Sequence, residues 1–212
     1  KRSEVNRILR ETMGFFEEHR FMLPPFGTWS PAEWAKRGEE ADEIRDNCLG
    51  WDITDFGLGD FEHLGLVLFT LRNGSHDDPR YPKPYAEKIM VAGEGQVTPM
   101  HFHQLKVEDI IVRGGGNLLI ELFNATPDND LDRDGSIVVS TDGVRRTLPA
   151  GTILRLTPGE SITLPQFAAP HSKELFGIRL PPESEDSSGI QRGRSSVSTS
   201  TTSSSQKVPV LV

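Results

Sequence analysis

Two histidines and a glutamate lie close together in the middle of the chain, at spacings that suit a metal ion. His101 and His103 are two residues apart, so their side chains share one face of an extended strand. Glu108 follows five residues later and can rejoin that face only if the chain turns within residues 104–107. Two neutral imidazoles and a carboxylate suit Mn, Fe, Co, Ni or Zn and leave coordination positions open for a substrate. The spacing therefore predicts a catalytic metal centre.

Two glycines frame this cluster and narrow the interpretation. Gly95 precedes it and Gly115 follows it, which completes the pattern Gly-x5-His-x-His-x4-Glu-x6-Gly. Glycine suits tight turns between strands because it tolerates positive φ. The pattern resembles the first signature motif of the cupins, small barrels that bind a metal inside a double-stranded β-helix. This resemblance implies a mainly β fold, a cupin barrel with the N-terminal α-helices packed on it.

A longer run, residues 88–116 together with residues 156–165, is similar to the D-lyxose isomerase family of cupin sugar isomerases. The resemblance extends from near the N-terminus to about Pro165. It implies a D-lyxose ketol-isomerase that interconverts D-lyxose and D-xylulose, and D-mannose and D-fructose, through a cis-enediol. It also implies a free pentose or hexose as substrate and a homodimer.

The same resemblance implies the cofactor and the residues that carry the chemistry. The expected cofactor is a divalent metal, Mn²⁺ first, with Co²⁺, Fe²⁺ or Zn²⁺ as alternatives. Its expected ligands are His101, His103, Glu108 and His171, and Lys106 is the expected catalytic residue, which donates to a sugar oxygen or shuttles a proton.

The second cupin motif is altered in this chain. Gly159 and Pro165 fit it, but Phe167 replaces a glycine, Pro170 stands at the histidine position, and His171 comes one residue late. Either a one-residue insertion still lets His171 reach the metal, or the reading frame departs from the family after Pro165 and His171 is accidental. We favour His171 as a ligand and expect lower activity than in the relatives.

The sequence does not identify the carboxylate base of an isomerase. Glu174 is the nearest candidate, and a barrel-facing Glu121 is another. Two other functions therefore stay open beside the isomerase. One is a non-catalytic sugar-binding cupin or inactive relative, and the other is an iron-dependent cupin dioxygenase.

The composition restricts the partners and the location. With 212 residues and 35% hydrophobic residues, the chain can form one sizeable core. The net charge of −8 argues against nucleic acid and anionic membranes as partners. We expect a cytoplasmic protein without a secretory signal, because no apolar stretch follows the basic N-terminus and Cys48 is the single cysteine. We expect Cys48 to be a buried structural thiol.

Three segments are predicted along the chain. Residues 1–50 should be helical. One helix is predicted over residues 3–19, a second begins at the capping box formed by Ser30 and Glu33, and a third lies around residues 39–46. Residues 51–181 should form the cupin barrel, with residues 128–135 as a solvated loop. Its predicted strands are 64–71, 85–91, 96–103, 108–113, 117–124, 136–140, 144–148, 152–156 and 161–164. Residues 182–212 are rich in serine and threonine and should be a dispensable disordered tail.

Overall fold

The structure is a computed structural model that describes residues 1–75, 77–101, 107–128, 130–164, 173–179 and 207–211. The first segment is helical, as predicted: α1 is Arg2–Glu18, α2 is Pro31–Trp34 and α3 is Asp42–Asp46. Short 3-10 helices at Pro25–Thr28 and Glu39–Ala41 separate them. None of the helices in the described part of the chain is long and apolar enough to span a membrane.

The helices form for the reasons the sequence indicates. In α1, Ile8, Thr12 and Phe16 are four residues apart and are the buried positions of the helix. The capping box of α2 is confirmed, because Ser30 Oγ accepts a hydrogen bond from the Glu33 N–H and the Glu33 carboxylate accepts one from the Ser30 N–H. The backbone and side-chain hydrogen bonds from Ser30 lower the pKa of Glu33.

The C-terminal end of α3 corrects the prediction for Cys48, which is exposed. The Leu49 N–H donates to the Ile44 carbonyl and the Cys48 N–H to the Arg45 carbonyl, the pair of bonds that ends many helices. That ending places Cys48 in the left-handed region, at φ 53°. The thiol is turned outward because it occupies the helix-ending position.

Thirteen strands follow in the described residues. They are β1 Gly50–Thr54, β2 Leu66–Arg72, β3 Glu87–Gly93, β4 Val97–His101, β5 Glu108–Val112, β6 Leu118–Ala125, β7 Leu131–Asp132, β8 Ser136–Thr141, β9 Val144–Pro149, β10 Thr152–Leu156, β11 Ser161–Leu164, β12 Lys173–Arg179 and β13 Lys207–Leu211. The nine predicted strands are all present with small shifts at their ends. The structure adds β1, β12 and β13, and it adds the short β7 within the predicted loop.

The strands form two antiparallel sheets that face each other, which confirms a mainly β barrel. The larger sheet has the order β1-β2-β3-β13-β5-β11-β8-β9, and the smaller has the order β10-β6-β12-β4 with β7 beside β6. The barrel core lies between the sheets. Its buried residues are Ala92, Ile110, Val112, Leu118, Ile120, Leu122, Ile137, Val139, Leu156, Ile162 and Leu164.

A second core joins the helical segment to the outer face of the larger sheet. Ile8 and Phe16 of α1 pack there with Phe69 of β2 and with Val91 of β3. Trp51 of β1 also belongs to this layer, and its indole N–H donates to the Gly27 carbonyl at 2.8 Å. The helices therefore cover the outside of the barrel and leave its interior to the sheets.

The loop between β2 and β3 is fastened to α3 by polar contacts. The Tyr81 hydroxyl donates to Asp46 at 2.8 Å, which raises the pKa of Tyr81, and Lys83 forms an ion pair with Glu43. The Asn73 amide donates to the Asn47 carbonyl at 3.1 Å. These bonds keep the proline-rich loop against the helical segment.

The last strand differs from the predicted disordered tail. Lys207–Leu211 pairs with β3 along its whole length and with β5 through Val210 and Leu211. Valine and leucine at this end of the chain suit a strand, whereas the serine- and threonine-rich composition before them hid that preference. The remainder of the predicted tail, residues 182–206 and 212, lies outside the described residues.

Candidate active site

Strand β4 carries His101 to the inside of the barrel. In the register of the smaller sheet, His101 lies opposite Phe176 of β12, and Phe176 lies opposite Leu122 of β6. Residues opposite each other in paired strands point to the same face. Leu122 is fully buried in the barrel core. His101 therefore faces the barrel interior.

A β-bulge between β4 and β12 sets this orientation. Thr98 lies opposite Ile178 and His101 lies opposite Phe176, so three steps along β4 match two steps along β12. The extra residue resets the alternation, which lets both Thr98 and His101 face inward although they are an odd number of residues apart. Met100 packs on the other side, against Phe123.

The backbone next to His101 fixes which ring nitrogen is available. His101 Nδ1 lies 2.8 Å from the Pro99 carbonyl oxygen. A carbonyl can only accept, so Nδ1 carries the hydrogen and donates it, and Nε2 keeps its lone pair. Such a backbone acceptor is the usual partner of a metal-binding histidine.

Glu108 enters the barrel from the opposite sheet. It is the first residue of β5 and lies opposite Leu164 of β11, while Ile110 lies opposite Ile162. Leu164, Ile110 and Ile162 all belong to the barrel core, so Glu108 shares their face. Its side chain is 9% exposed, and its Oε2 atom is shielded from solvent. Burial of a carboxylate is costly unless a cation or hydrogen-bond donors compensate it.

Three of the five predicted site residues, His103, Lys106 and His171, lie outside the described residues. The other two, His101 and Glu108, lie one on each sheet. Within the described ranges there is no group of three or more histidine, cysteine, aspartate or glutamate residues placed to hold a metal. Of the five predicted site residues, only His101 and Glu108 lie within those described ranges.

The donors that are described fit a divalent metal. An imidazole that donates through Nδ1 and a buried carboxylate are a nitrogen and an oxygen ligand of the kind that Mn²⁺, Fe²⁺ or Zn²⁺ accepts. The two donors face the barrel interior from facing sheets, and the metal centre itself stays a prediction.

The structure corrects one candidate for the catalytic base. Glu121 lies opposite Ile153, which is 48% exposed, and it alternates with Ile120 and Leu122 of the barrel core. Glu121 therefore faces away from the barrel interior. Glu174 lies in β12 at the position opposite Asn124, two residues before Phe176. Glu174 is therefore the base candidate that lies on the strand paired with β4, the strand that carries His101.

One inward-facing charged residue escaped the sequence-based assignment of roles. Lys88 of β3 is followed by Ile89, Met90, Val91 and Ala92, which belong alternately to the two cores. The alternation places Lys88 on the barrel side of the sheet. The four residues that follow Lys88 in β3 are all apolar, so the sequence alone does not show which face of the strand is the inner one.

A separate cleft lies on the other side of the larger sheet. It has a volume of about 400 Å³ and lies between α1 and the turn that follows β3. Its lining includes Ile8, Val67 and Val91 of the helix–sheet core. The cleft is therefore separated from His101 and Glu108 by the sheet itself.

Comparison with known sequences identifies close relatives. A profile of the family described as D-lyxose isomerase matches residues 1–173. A D-lyxose/D-mannose isomerase of Escherichia coli O157:H7 is 54% identical over 166 residues, which cover 78% of this chain and 73% of that protein. A D-lyxose/D-mannose isomerase of Serratia proteamaculans is 53% identical over 165 residues, which cover 77% and 72%.

Comparison with solved structures supports the fold. The L-ribose isomerase of Acinetobacter sp. DL28 in complex with L-ribose aligns with a TM-score of 0.55 and 17% identity, covering 100% of this chain and 80% of that chain. The ligand-free L-ribose isomerase of Cellulomonas parahominis aligns with a TM-score of 0.51 and 17% identity, covering 100% and 82%. At 17% sequence identity, this similarity establishes the fold and nothing about the activity. The fold agrees with the predicted cupin barrel.

Proposed function

The chain belongs to the D-lyxose isomerase family of sugar isomerases, and from this premise we propose that it interconverts D-lyxose with D-xylulose and D-mannose with D-fructose. Relatives at 54% and 53% identity carry the name D-lyxose/D-mannose isomerase. The observation that carries the proposal is the inward placement of His101 and Glu108 from facing sheets, within the residues that the family profile matches.

In this proposal His101 and Glu108 hold a divalent metal together with His103 and His171, with Mn²⁺ as the preferred ion. When bound, the ion supplies Lewis-acid stabilisation of the negative charge that develops on the sugar oxygens. His101 binds through Nε2, because Nδ1 donates to the Pro99 carbonyl. Glu108 contributes a negative charge in a water-poor interior, where it attracts a cation strongly.

The reaction moves a proton between C2 and C1 of an open-chain sugar, with a second proton exchanged between the two oxygens. Aldose and ketose are isomers, so no oxidant or reductant is consumed. We assign Lys106 as the group that donates to a sugar oxygen, and Glu174 is the candidate for the base. The apolar lining formed by Leu122 and Leu164 keeps water away from the inner face beside His101 and Glu108.

A second candidate function is a sugar-binding or weakly active relative. The family profile ends at residue 173, and the E. coli relative is covered over 73% of its length, so part of that protein has no aligned counterpart here. A chain that keeps the metal site but lacks a working base would bind sugars without converting them. The homodimer and the cytoplasmic location stay predictions.

The decisive experiment combines metal analysis with a sugar assay. The purified chain is stripped of metal, reloaded with Mn²⁺ and incubated with D-lyxose or D-mannose, and ketose formation is measured. We expect about one metal ion per chain and formation of D-xylulose and D-fructose. In His101→Ala the metal should be lost. The matched control is His63→Ala, because the His63 side chain is 80% exposed and pairs with Asp60 outside the barrel.

Each result bears on a different part of the proposal. Wild-type metal content in His101→Ala would remove His101 from the ligand set. Sugar binding without turnover in the metal-loaded chain would favour the second candidate function. Absence of both binding and turnover would overturn the assignment to these sugars.

A further inference from the structure

A hydrogen bond between two side chains ties β5 to β11 on the outer face of the larger sheet. The Thr163 hydroxyl donates to the Asp109 carboxylate at 2.6 Å. A hydroxyl bonded to an ionised carboxylate typically lies at about 2.5–2.7 Å, and such a bond is stronger than one between neutral groups. Asp109 follows Glu108 in β5, so their side chains point to opposite faces of the sheet. The bond therefore lies behind the buried carboxylate, outside the barrel.

The pairing of β5 with β11 explains why these two side chains meet. The Val112 N–H donates to the Glu160 carbonyl at 3.0 Å, which makes this a backbone-bonded pair. Backbone-bonded and non-bonded pairs alternate along an antiparallel ladder. Asp109 is three residues before Val112 and lies opposite Thr163, so these two residues form a non-bonded pair, in which side chains come closest. Glu108, one residue earlier, belongs to a backbone-bonded pair.

The bond lies one pair from the place where both strands end. Glu108 is the first residue of β5, and it lies opposite Leu164, the last residue of β11. The ends of paired strands open more easily than their middles. In the described part of the chain, the core beneath the helices takes its strand residues from β1, β2 and β3, so that core does not back this end of the sheet. The side-chain bond therefore closes the ladder next to the residue that carries the carboxylate.

We propose that Asp109 and Thr163 are positioning residues for the predicted metal site, because their hydrogen bond keeps the ends of β5 and β11 paired and so fixes the backbone of Glu108. A carboxylate can hold a metal together with His101 on the facing sheet only if its strand end keeps one position. β11 precedes the predicted ligand His171 in the chain, so the bond also links the two stretches that carry the predicted ligands. The inference rests on the proposed function and deepens it.

The first test compares Thr163→Val with Thr163→Ser in the full chain. Valine has the shape of threonine and suits a strand, but it cannot donate a hydrogen bond. We expect Thr163→Val to weaken Mn²⁺ binding about 10-fold, the lower end of the usual effect of losing a group that orients a metal ligand. Thr163→Ser keeps the hydroxyl and should bind Mn²⁺ nearly as the wild type does. The melting temperature of the metal-free chain should stay at the wild-type level in both variants. Titration with Mn²⁺ and thermal unfolding measure these quantities.

Ser161→Ala is the matched control. The Ser161 hydroxyl donates to the Asp142 carboxylate at 2.9 Å, at the beginning of β11 and away from Glu108. This variant also loses a hydrogen bond from β11 to a carboxylate, and it should bind Mn²⁺ as the wild type does.

A double-mutant cycle separates the hydrogen bond from the charge of Asp109, which also attracts a cation. Asp109→Ala removes both the bond and the charge, whereas Thr163→Val removes the bond alone. Asp109→Ala should therefore weaken Mn²⁺ binding less in the Thr163→Val background than in the wild-type chain. Equal effects in the two backgrounds would contradict the inference, because the charge alone would then explain the loss.

Hydrogen exchange gives a readout that needs neither metal nor turnover. The Glu108 amide is protected while β5 and β11 stay paired, so it should exchange faster in the metal-free Thr163→Val chain than in the metal-free wild type. The Val112 amide, which is bonded to the Glu160 carbonyl, should change little. An unchanged rate at Glu108 would show that the side-chain bond does not hold the strand end.

The outcomes distinguish this inference from the proposed function. Wild-type Mn²⁺ affinity in Thr163→Val would overturn the inference, and a lower melting temperature with unchanged affinity would make the bond merely structural. If the wild-type chain binds Mn²⁺ without converting D-lyxose or D-mannose, the isomerase function fails, and the affinities of the variants still decide the role of Asp109 and Thr163. If the wild-type chain binds no Mn²⁺, the metal site is wrong and the inference is overturned with it.

Discussion

At the scale of single residues, the site depends on how two side chains enter the barrel. His101 comes from the smaller sheet and Glu108 from the larger one, and each shares a face with fully or almost fully buried leucines. The Pro99 carbonyl accepts the hydrogen of His101 Nδ1, so Nε2 is the ring nitrogen that keeps its lone pair. A backbone acceptor cannot be lost by mutation of a side chain, so the orientation of His101 is built into β4 itself.

Lys106 gives a prediction at this scale. Lys106→Ala should keep the metal and the melting temperature but lower turnover of D-lyxose by about 10²-fold or more, the usual effect of removing a general acid–base group. Steady-state kinetics with metal analysis of the same sample measures both quantities. Lys83→Ala, outside the barrel, is the control that should behave as the wild type.

Wild-type turnover in Lys106→Ala would show that Lys106 takes no part in the proton transfer. Loss of the metal in that variant would mean that Lys106 supports the ligands rather than the proton transfer.

The residue scale also shows what the sequence could predict. The types and spacing of His101 and Glu108 lead to a metal centre that stays a prediction, whereas the face of Glu121 was assigned wrongly. In β6, Leu119 and Phe123 share the face of Glu121 and are buried, as Ile120 and Leu122 are on the other face. The hydrophobic pattern therefore gives no contrast between the two faces. The inward orientation of His101 depends on a bulge against β12, which is a property of the pairing and not of β4 alone.

At the scale of elements, the strands with clear turns at both ends were predictable and those without were missed. β1 follows directly on the helical segment, and β12 lies beyond the point where the second cupin motif is altered. β13 is a five-residue strand after a long polar segment. Composition averaged over that segment predicts disorder, although the last residues have high β propensity.

The position of β13 gives a prediction that replaces the expected dispensable tail. Removal of residues 207–212 should lower the melting temperature by about 5–10 °C, because the hydrogen bonds of β13 to β3 and β5 are lost. Thermal unfolding followed by circular dichroism measures the shift. The matched control is a deletion of residues 186–200, which keeps β13 and should leave the melting temperature nearly unchanged.

A wild-type melting temperature in the variant that lacks residues 207–212 would show that β13 contributes nothing to the fold. A loss in the control as large as in the first variant would assign a structural role to the polar segment.

At the scale of the whole molecule, the larger sheet separates two hydrophobic cores, one inside the barrel and one beneath the helical segment. Its inner face and the smaller sheet enclose His101 and Glu108, whereas its outer face carries the helical segment. Phe16 of α1 is 3% exposed and stacks on Trp51 with ring centroids 6.0 Å apart. We therefore expect substitutions in the outer core to change the free energy of unfolding. Substitutions on the inner face should change metal content and turnover.

Phe16→Ala tests this separation. It should lower the free energy of unfolding by about 3–5 kcal/mol, the usual cost of deleting a buried phenylalanine, while metal content under folding conditions stays at one ion per chain. Denaturant unfolding and elemental analysis provide the two measurements. Phe56→Ala is the matched control, because Phe56 is 39% exposed and its removal should cost little.

A Phe16→Ala variant that folds but no longer holds the metal would show that the helical segment shapes the barrel interior, and that the two cores are coupled across the sheet.

Pro99 has a consequence for how this protein behaves at high concentration. Among the described strands, β4 is the outermost of the smaller sheet. An outermost strand with unpaired amide groups can pair with a strand of another chain. At Val97 that edge is covered, because the Val97 N–H donates to the His63 carbonyl at 2.7 Å. Two residues further on, Pro99 has no N–H to offer. The residue whose carbonyl accepts from His101 therefore also removes a donor that an added strand would need along this edge.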